Sequence, residues 1–143
     1  MGLATAAGTL PAEAQVRRES GVAVLAIGSE PVQWLAGASH WWRVARRTRA
    51  GGLLAAGVAG GEAAARGEVA AHFLLNPAAR RGAGWYGGGG LAGVAGRAEG
   101  VRVQVVLGVD GRPAGPAGWS LELGVGGGVR LAAGYRWRVL RPR

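Results

Sequence analysis

The sequence contains no cysteine and no lysine, and both absences limit what the chain can be. Without cysteine, neither a disulfide framework nor a thiolate metal site can form. The 17 basic residues are therefore all arginine, and they give a formal net charge of +9 over 143 residues. We interpret this arginine-only composition as the mark of a GC-rich genome rather than of a surface selected for nucleic acid.

Long apolar runs are also absent from the sequence. No stretch of about 18 apolar residues occurs, which excludes a transmembrane helix. The 29 glycines argue against a helical bundle, because each interior glycine costs about 1 kcal/mol relative to alanine. A transmembrane β-barrel is compatible with both facts, since its strands are short and alternate in polarity. One all-β domain is the simplest interpretation.

The two ends of the chain differ in composition from the rest. Residues 1–15 are mildly apolar and end in Ala12-Glu13-Ala14, a small-x-small pattern typical of a signal-peptidase site, but no basic segment precedes it. We interpret 1–15 as a truncated export signal or a disordered tail. Residues 16–140 are expected to form a single β-barrel domain, and 141–143 a basic C-terminal tail.

Turn signals divide the central part of the chain into eight segments of about ten residues. We predict strands at 18–28, 32–47, 52–60, 62–75, 83–96, 101–110, 119–126 and 129–139. A polar turn is predicted at 48–51, and 76–82 is the clearest loop. Short connections without helical periodicity predict an eight-stranded antiparallel up-and-down β-barrel of the transmembrane type.

Polarity alternates within the predicted strands. Between 129 and 139 the large apolar side chains take odd positions, while arginines, glycines and small residues take even ones. In 101–110, Val103 and Leu107 share one face and Arg102 and Gln104 the other. Such strands have one apolar and one polar face. In a transmembrane barrel the apolar face meets lipid, whereas in a soluble barrel it forms the core.

If the polar face points inward, its side chains must neutralise one another. An eight-stranded barrel is only wide enough for side chains, and an unpaired buried charge costs several kcal/mol. We therefore expect a filled, ion-paired lumen without a wide pore. The predicted polar network comprises Glu62, Arg66, Glu68, His72, Arg102, Gln104, Glu122, Arg130 and Arg136.

Most aromatic residues fall at the barrel end that a meander shares with its termini. A bilayer interface favours such a ring, because indole and phenol groups are amphipathic. We predict a membrane-interface set of Trp41, Trp42, Phe73, Trp85, Trp119, Tyr135 and Trp137. Arginines including Arg49 and Arg138 fall at the same end and are expected to form a basic collar that contacts anionic lipid headgroups.

The pattern resembles the small eight-stranded outer-membrane β-barrels. Their last strand carries a glycine followed by aromatic or apolar residues at alternate sites, which Gly134, Trp137 and Val139 match. The resemblance covers about 18–139 and implies a non-enzymatic, monomeric barrel in the outer membrane of a diderm bacterium, with membrane lipid as its partner and a structural or lipid-contacting role. The family's long adhesive or sensing loops have no counterpart in the short connections away from the termini, which argues against such roles.

A soluble lipocalin-like barrel, cytoplasmic or periplasmic, is the main alternative. It would bind a small apolar ligand inside, and it requires Leu121, Leu131 and Trp137 to point into a narrow lumen. Nucleic-acid binding is a weaker alternative, because Trp41 and Trp42 lie near arginines and could stack on single-stranded bases.

The sequence does not indicate an enzyme. His72, Glu68 and Ser120 could form a hydrolytic trio, but no nucleophile-elbow motif surrounds Ser120. Two histidines and scattered carboxylates do not make a convincing metal site. We therefore predict no catalytic residues, no metal and no cofactor.

Overall fold

In the computed structural model, which describes residues 18–96 and 99–139, the chain forms eight β-strands. The predicted leader at 1–15 and tail at 141–143 lie outside the described residues. No helix in the described part is long and apolar enough to cross a membrane. The strands are β1 (Arg18–Gly28), β2 (Gln33–Ala45), β3 (Thr48–Ala59), β4 (Glu62–Leu74), β5 (Ala83–Gly96), β6 (Gly100–Gly111), β7 (Ala117–Val125) and β8 (Val129–Val139).

The strands close into a barrel. Each strand pairs antiparallel with the next one along the chain, and β8 returns to pair with β1. Every strand therefore has two hydrogen-bonded neighbours, and closure removes the unpaired edges of an open sheet. The predicted up-and-down topology is confirmed, and β1, β5 and β8 have the predicted bounds.

The turn between β2 and β3 differs from the prediction. Polar residues at 48–51 predicted a turn, but the chain reverses at Arg46-Arg47, and Thr48 pairs with Ala45. A register shift between Arg43 and Ala45 accommodates the tight reversal. Because β3 begins four residues earlier than predicted, Arg49 lies within the sheet rather than in a loop.

The connections define two rims of different character. The termini-side rim carries the connections 46–47, 75–82 and 112–116, whereas the far rim carries 29–32, 60–61, 97–99 and 126–128. At the far rim, Gly60 and Gly61 have φ values of 58° and 82°, as the tightest hairpin turns require. No far-rim connection exceeds four residues.

The barrel is apolar outside and mostly polar inside. Val103, Leu121 and Leu131 are 71%, 51% and 55% exposed, while Arg66 and Glu68 are buried in the lumen. The soluble alternative required the opposite orientation and is not supported. The buried apolar cluster includes Leu25, Ile27, Leu35, Leu53, Ala55, Ala59 and Ala64. By their strand positions, these side chains fill the far-rim part of the lumen.

Candidate functional site

The centre of the lumen holds a charge-balanced network. The Arg130 guanidinium donates from Nε to Glu68 Oε1 and from Nη2 to Glu68 Oε2, both at 2.9 Å. Its Nη1 donates to Glu122 Oε1 at 2.7 Å, and Arg66 Nε donates to Glu68 Oε1 at 2.6 Å. Two guanidinium groups thus face two carboxylates, and hydrogen bonding offsets part of the cost of burying these charges.

Two neutral side chains complete this network. Arg66 Nη2 donates to Gln104 Oε1 at 3.0 Å, and the Tyr86 hydroxyl donates to Glu122 Oε2 at 2.5 Å. Tyr86 fits inside because its partner in β6 is Gly108, where a Cβ would lie 2.5 Å from the hydroxyl oxygen. We call the set the central cluster: Arg66, Glu68, Tyr86, Gln104, Glu122 and Arg130.

A second charged group, which we call the termini-side cluster, lies nearer the termini-side rim. Glu19 is its hub, with its carboxylate 2.8 Å from the Arg138 guanidinium, 3.2 Å from that of Arg49 and 3.3 Å from those of Arg43 and Arg136. Asp110 receives a hydrogen bond from Arg49 Nη1 at 3.1 Å and lies 3.4 Å from Arg136 Nε without hydrogen-bond geometry. The cluster comprises Glu19, Arg43, Arg49, Asp110, Arg136 and Arg138.

Two loops cover this end of the lumen. Buried Arg138 donates a side-chain hydrogen bond to the Pro113 carbonyl and its backbone amide to the Pro116 carbonyl. The loop at 112–116 is joined to 75–82 by a hydrogen bond from the Ala114 amide to the Ala79 carbonyl, 2.8 Å long. The backbone of 112–116 therefore lies directly against the termini-side cluster.

Aromatic rings connect the two clusters. The His72 ring stacks on Tyr86 with a centroid separation of 4.8 Å and lies 4.4 Å from Trp41. Arg49 donates from Nε to His72 Nδ1 at 3.2 Å, and its guanidinium carbon lies 4.5 Å from the Tyr86 ring centroid. Such cation–π contacts stabilise a guanidinium away from water.

The structure separates the predicted lumen residues into two groups. Glu62 and Arg102 are exposed at the far rim, because each lies near a strand start that solvent reaches. The others point into the barrel, and all but the half-buried Glu122 are buried: Arg66, Glu68, His72, Gln104, Glu122, Arg130 and Arg136.

Sequence reasoning missed several members of the site. The sequence places Arg49 in the predicted turn at 48–51 and Arg138 in the predicted basic collar, yet both side chains are buried in the lumen. Arg138 occupies an even position in β8, as the inward Arg130 and Arg136 do, so strict alternation predicts that it points into the lumen. In β1, Glu19 occupies an odd position like the inward Leu25 and Ile27, which indicates an inward direction in the same way.

Of the seven aromatic residues predicted at the membrane interface, six face outward and one faces the lumen. Six point outward near the termini-side ends of their strands, each at least 40% exposed: Trp42, Phe73, Trp85, Trp119, Tyr135 and Trp137. Trp41 instead points into the lumen, so its assignment to the exterior is wrong. Its partner in β3 is Gly51, where a Cβ would lie 2.9 Å from Trp41 Cε3, so only bare backbone leaves room for the indole.

Neither a metal centre nor a hydrolytic trio emerges from this geometry. In the residues that the structure describes, no group of three or more His, Cys, Asp or Glu side chains could hold a metal ion. Glu68, which the trio would need as the partner of His72, is bound by Arg66 and Arg130. His72 Nδ1 is bound by Arg49.

Comparison with known proteins gives a clear result at the level of structure. No protein-family model matches the sequence, and no curated protein matches it. The crystal structure of the N-terminal β-barrel domain of Pseudomonas aeruginosa OprF superposes with a TM-score of 0.67 at 11% identity, covering 87% of this chain and 100% of that domain. The chain has the fold of the eight-stranded outer-membrane β-barrels.

Two further barrels share this outer-membrane barrel fold. A structure from the de novo design of transmembrane β-barrels has a TM-score of 0.62 at 15% identity, covering 86% of this chain and 95% of that one. Neisserial surface protein A (NspA) has a TM-score of 0.60 at 12% identity, with coverages of 86% and 96%. At these identities the comparisons establish the fold, which confirms the fold predicted from the strand pattern.

Proposed function

We propose that the chain is a non-enzymatic barrel of the outer membrane of a diderm bacterium, with a structural, lipid-contacting role. One observation carries the proposal, namely that large apolar side chains face outward while ion pairs fill the lumen. A soluble protein would leave this apolar surface in water, whereas a lipid bilayer is the solvent in which it is favourable.

The outward surface is most apolar on β6, β7 and β8. Its large side chains are between 50% and 71% exposed and cover three adjacent strands: Val101, Val103, Val105, Leu107, Leu121, Leu123, Val125, Val129 and Leu131. A contiguous apolar surface of this kind marks a membrane or an interaction site. The apolar faces of the strands support lipid as the partner.

The termini-side rim has the composition of a membrane interface. Besides the six outward aromatics, exposed arginines lie in its turns: Arg46, Arg47, Arg80, Arg81 and Arg112. Each basic residue near an anionic membrane surface contributes about 1 kcal/mol of attraction. The collar is smaller than predicted, since Arg49 and Arg138 point inward. We propose that this rim contacts anionic headgroups.

A filled lumen favours a structural role over a channel. Apolar side chains occupy the far-rim part, the two charged clusters occupy the remainder, and loops cover the termini-side end. The cavity left in the charged part measures only about 50 Å³. Short far-rim connections offer no long loop for adhesion. With Trp41 inside the barrel, the stacking pair considered for nucleic acid is lost, and we propose a monomer without a nucleic-acid partner.

Membrane fractionation tests the proposal. The chain, expressed with an export signal in a diderm bacterium, is expected in the outer-membrane fraction, to need detergent for extraction, and to migrate differently on a gel before and after boiling. An equally exported soluble barrel is the control and should appear in the periplasmic fraction. Recovery of folded chain from that soluble fraction without detergent would contradict the proposal.

A further inference from the structure

We propose that the termini-side cluster binds a small inorganic anion of about the size of chloride inside the barrel. Three guanidinium groups of the cluster are more than nine-tenths buried, those of Arg49, Arg136 and Arg138, and they share two carboxylates, those of Glu19 and Asp110. Among these buried groups, positive charge therefore exceeds negative charge by one. The side chains of Arg49 and Arg138 are each only 4% exposed, and that of Arg136 is 8% exposed.

The central cluster does not supply the missing negative charge. Its two carboxylates, Glu68 and Glu122, are matched by the guanidinium groups of Arg66 and Arg130. Burying charge without a counter-charge is strongly unfavourable. An anion in the lumen would lower that cost, because electrostatic attraction is stronger where water is excluded.

Unused donors lie in the same cluster, and those of Arg136 border the cavity described below. Arg136 Nε, Arg136 Nη2 and Arg138 Nη1 are buried and have no hydrogen-bond partner among the described residues, and neither has Asp110 Oδ1, which lies 3.4 Å from Arg136 Nε. In the central cluster, by contrast, every buried side-chain nitrogen and oxygen within the described part of the chain has a partner. Buried guanidinium donors are normally satisfied, so two arginines that leave three of them unused are suited to receive an acceptor.

The space available limits the size of the anion. A cavity of about 50 Å³ lies in the lumen and is bordered by Arg49, Arg136 and the hydroxyl-bearing Ser39 and Ser120. The carboxylates that also border it are already bound by guanidinium groups: Glu68, Asp110 and Glu122. This volume is of the order needed for one to a few water molecules, which excludes a nucleotide or a lipid headgroup. A monatomic anion fits, and guanidinium and hydroxyl groups are suitable donors to it.

The inference depends on the geometry of the lumen and not on where the barrel resides. An anion site would exist equally in detergent, in a bilayer or in a soluble barrel with the same interior. Failure of the fractionation experiment would therefore leave it standing, and failure of anion binding would leave the membrane assignment standing.

Bromide offers a direct probe of position. In crystals of the detergent-solubilised barrel grown with bromide in place of chloride, we expect an anomalous peak within hydrogen-bonding distance of the Arg136 guanidinium. Bromide found only at exposed arginines such as Arg112 would show an adventitious ion only and would overturn the proposal. A well-ordered lumen without a bromide peak would do the same.

Thermal unfolding gives a test in solution. At constant ionic strength, replacing gluconate by chloride should raise the midpoint of the wild-type barrel by several degrees once chloride exceeds its dissociation constant about 100-fold. Arg136→Met should diminish this response, whereas Arg102→Met, which removes an exposed far-rim arginine, should retain it in full.

A second variant keeps the test decisive if Arg136→Met does not fold. Ser39→Asp places a carboxylate beside the cavity and near Arg136, because Ser39 Oγ and Arg136 Cβ lie 3.1 Å and 3.3 Å from the position that a Cβ would take at Gly21. This carboxylate should supply the counter-charge permanently. We expect the midpoint of Ser39→Asp in gluconate to exceed that of the wild type and to be insensitive to chloride. A chloride response in Ser39→Asp equal to that of the wild type, or no response in the wild type, would overturn the proposal.

Discussion

Glu68 and Arg130 join opposite sides of the barrel through two parallel hydrogen bonds, each 2.9 Å long. Glu68 lies on β4 and Arg130 on β8, four places apart in a ring of eight strands. The pair is bidentate, the geometry that makes arginine–carboxylate contacts strongest. It therefore connects β4 with β8 across the lumen, and we call this pair the strut.

Removing the negative charge of this strut should strongly destabilise the barrel. In Glu68→Gln, two buried guanidinium groups lose their shared carboxylate, and breaking a buried pair costs about 3–5 kcal/mol. Denaturant unfolding of the refolded barrel in detergent measures the loss in the free energy of unfolding. The control is Glu30→Gln at the exposed far rim, which should change it by no more than about 0.5 kcal/mol. Equal effects for both variants would mean that the strut does not stabilise the fold.

The cost of an outward arginine should depend on its depth. Leu121 lies at the middle of β7, and Val125 is the last residue of the strand at the far rim. Leu121→Arg should destabilise the barrel in lipid vesicles by about 2–4 kcal/mol, and Val125→Arg by about 0–1 kcal/mol, because the charge of the latter can reach the interface. Reversible unfolding in vesicles provides the measurement. The lipid-facing assignment fails if the two substitutions cost the same.

The glycine run in β5 should tolerate substitution on one face only. Gly90 faces the lumen, and a Cβ there would lie 2.6 Å from Cα of Ala70 in β4. Gly87 faces outward, and the nearest atom to its Cβ position is 3.7 Å away. We expect Gly90→Ala to lower the free energy of unfolding by about 1–3 kcal/mol, as overpacking does, and Gly87→Ala to be nearly neutral. The reverse order would show that β5 has a different register.

The two tyrosines of the chain form a natural pair of test sites. Tyr86→Phe removes the hydrogen bond to Glu122, and loss of a hydrogen bond to a charged group costs about 1.5–3 kcal/mol. Tyr135→Phe changes a half-exposed hydroxyl on the outer face and should cost far less. Equilibrium unfolding of both variants, followed by tryptophan fluorescence, gives the comparison. Equal stability of both variants would remove Tyr86 from the network.

The strand pattern was sufficient to predict the barrel, because alternation and turns are local signals. In β8, the bulky odd positions and the arginines at even positions fixed both the strand and its inward face. The same signal was weak in β2, where Trp41 and Trp42 are both large and aromatic. Only the pairing with Gly51 decides which of the two faces inward.

The partners within the lumen could not be predicted from sequence in the same way. The contact between Glu68 and Arg130 spans 62 residues and depends on the tilt and stagger of the closed sheet. Arg49 was missed for a different reason, since a two-residue turn at two arginines gives no glycine or proline signal.

Glu19 lies at the seam where the first strand meets the last, directly opposite Arg138 in the pairing of β1 with β8. Until the ends of the sheet come together, the guanidinium groups of Arg136 and Arg138 are separated from this carboxylate. The pairing of β1 with β8 therefore closes the barrel and brings the Glu19 carboxylate to the Arg138 guanidinium at the same time. A half-assembled sheet would carry Arg138 on its last strand without the carboxylate of Glu19, which disfavours its entry into hydrocarbon before the barrel is closed.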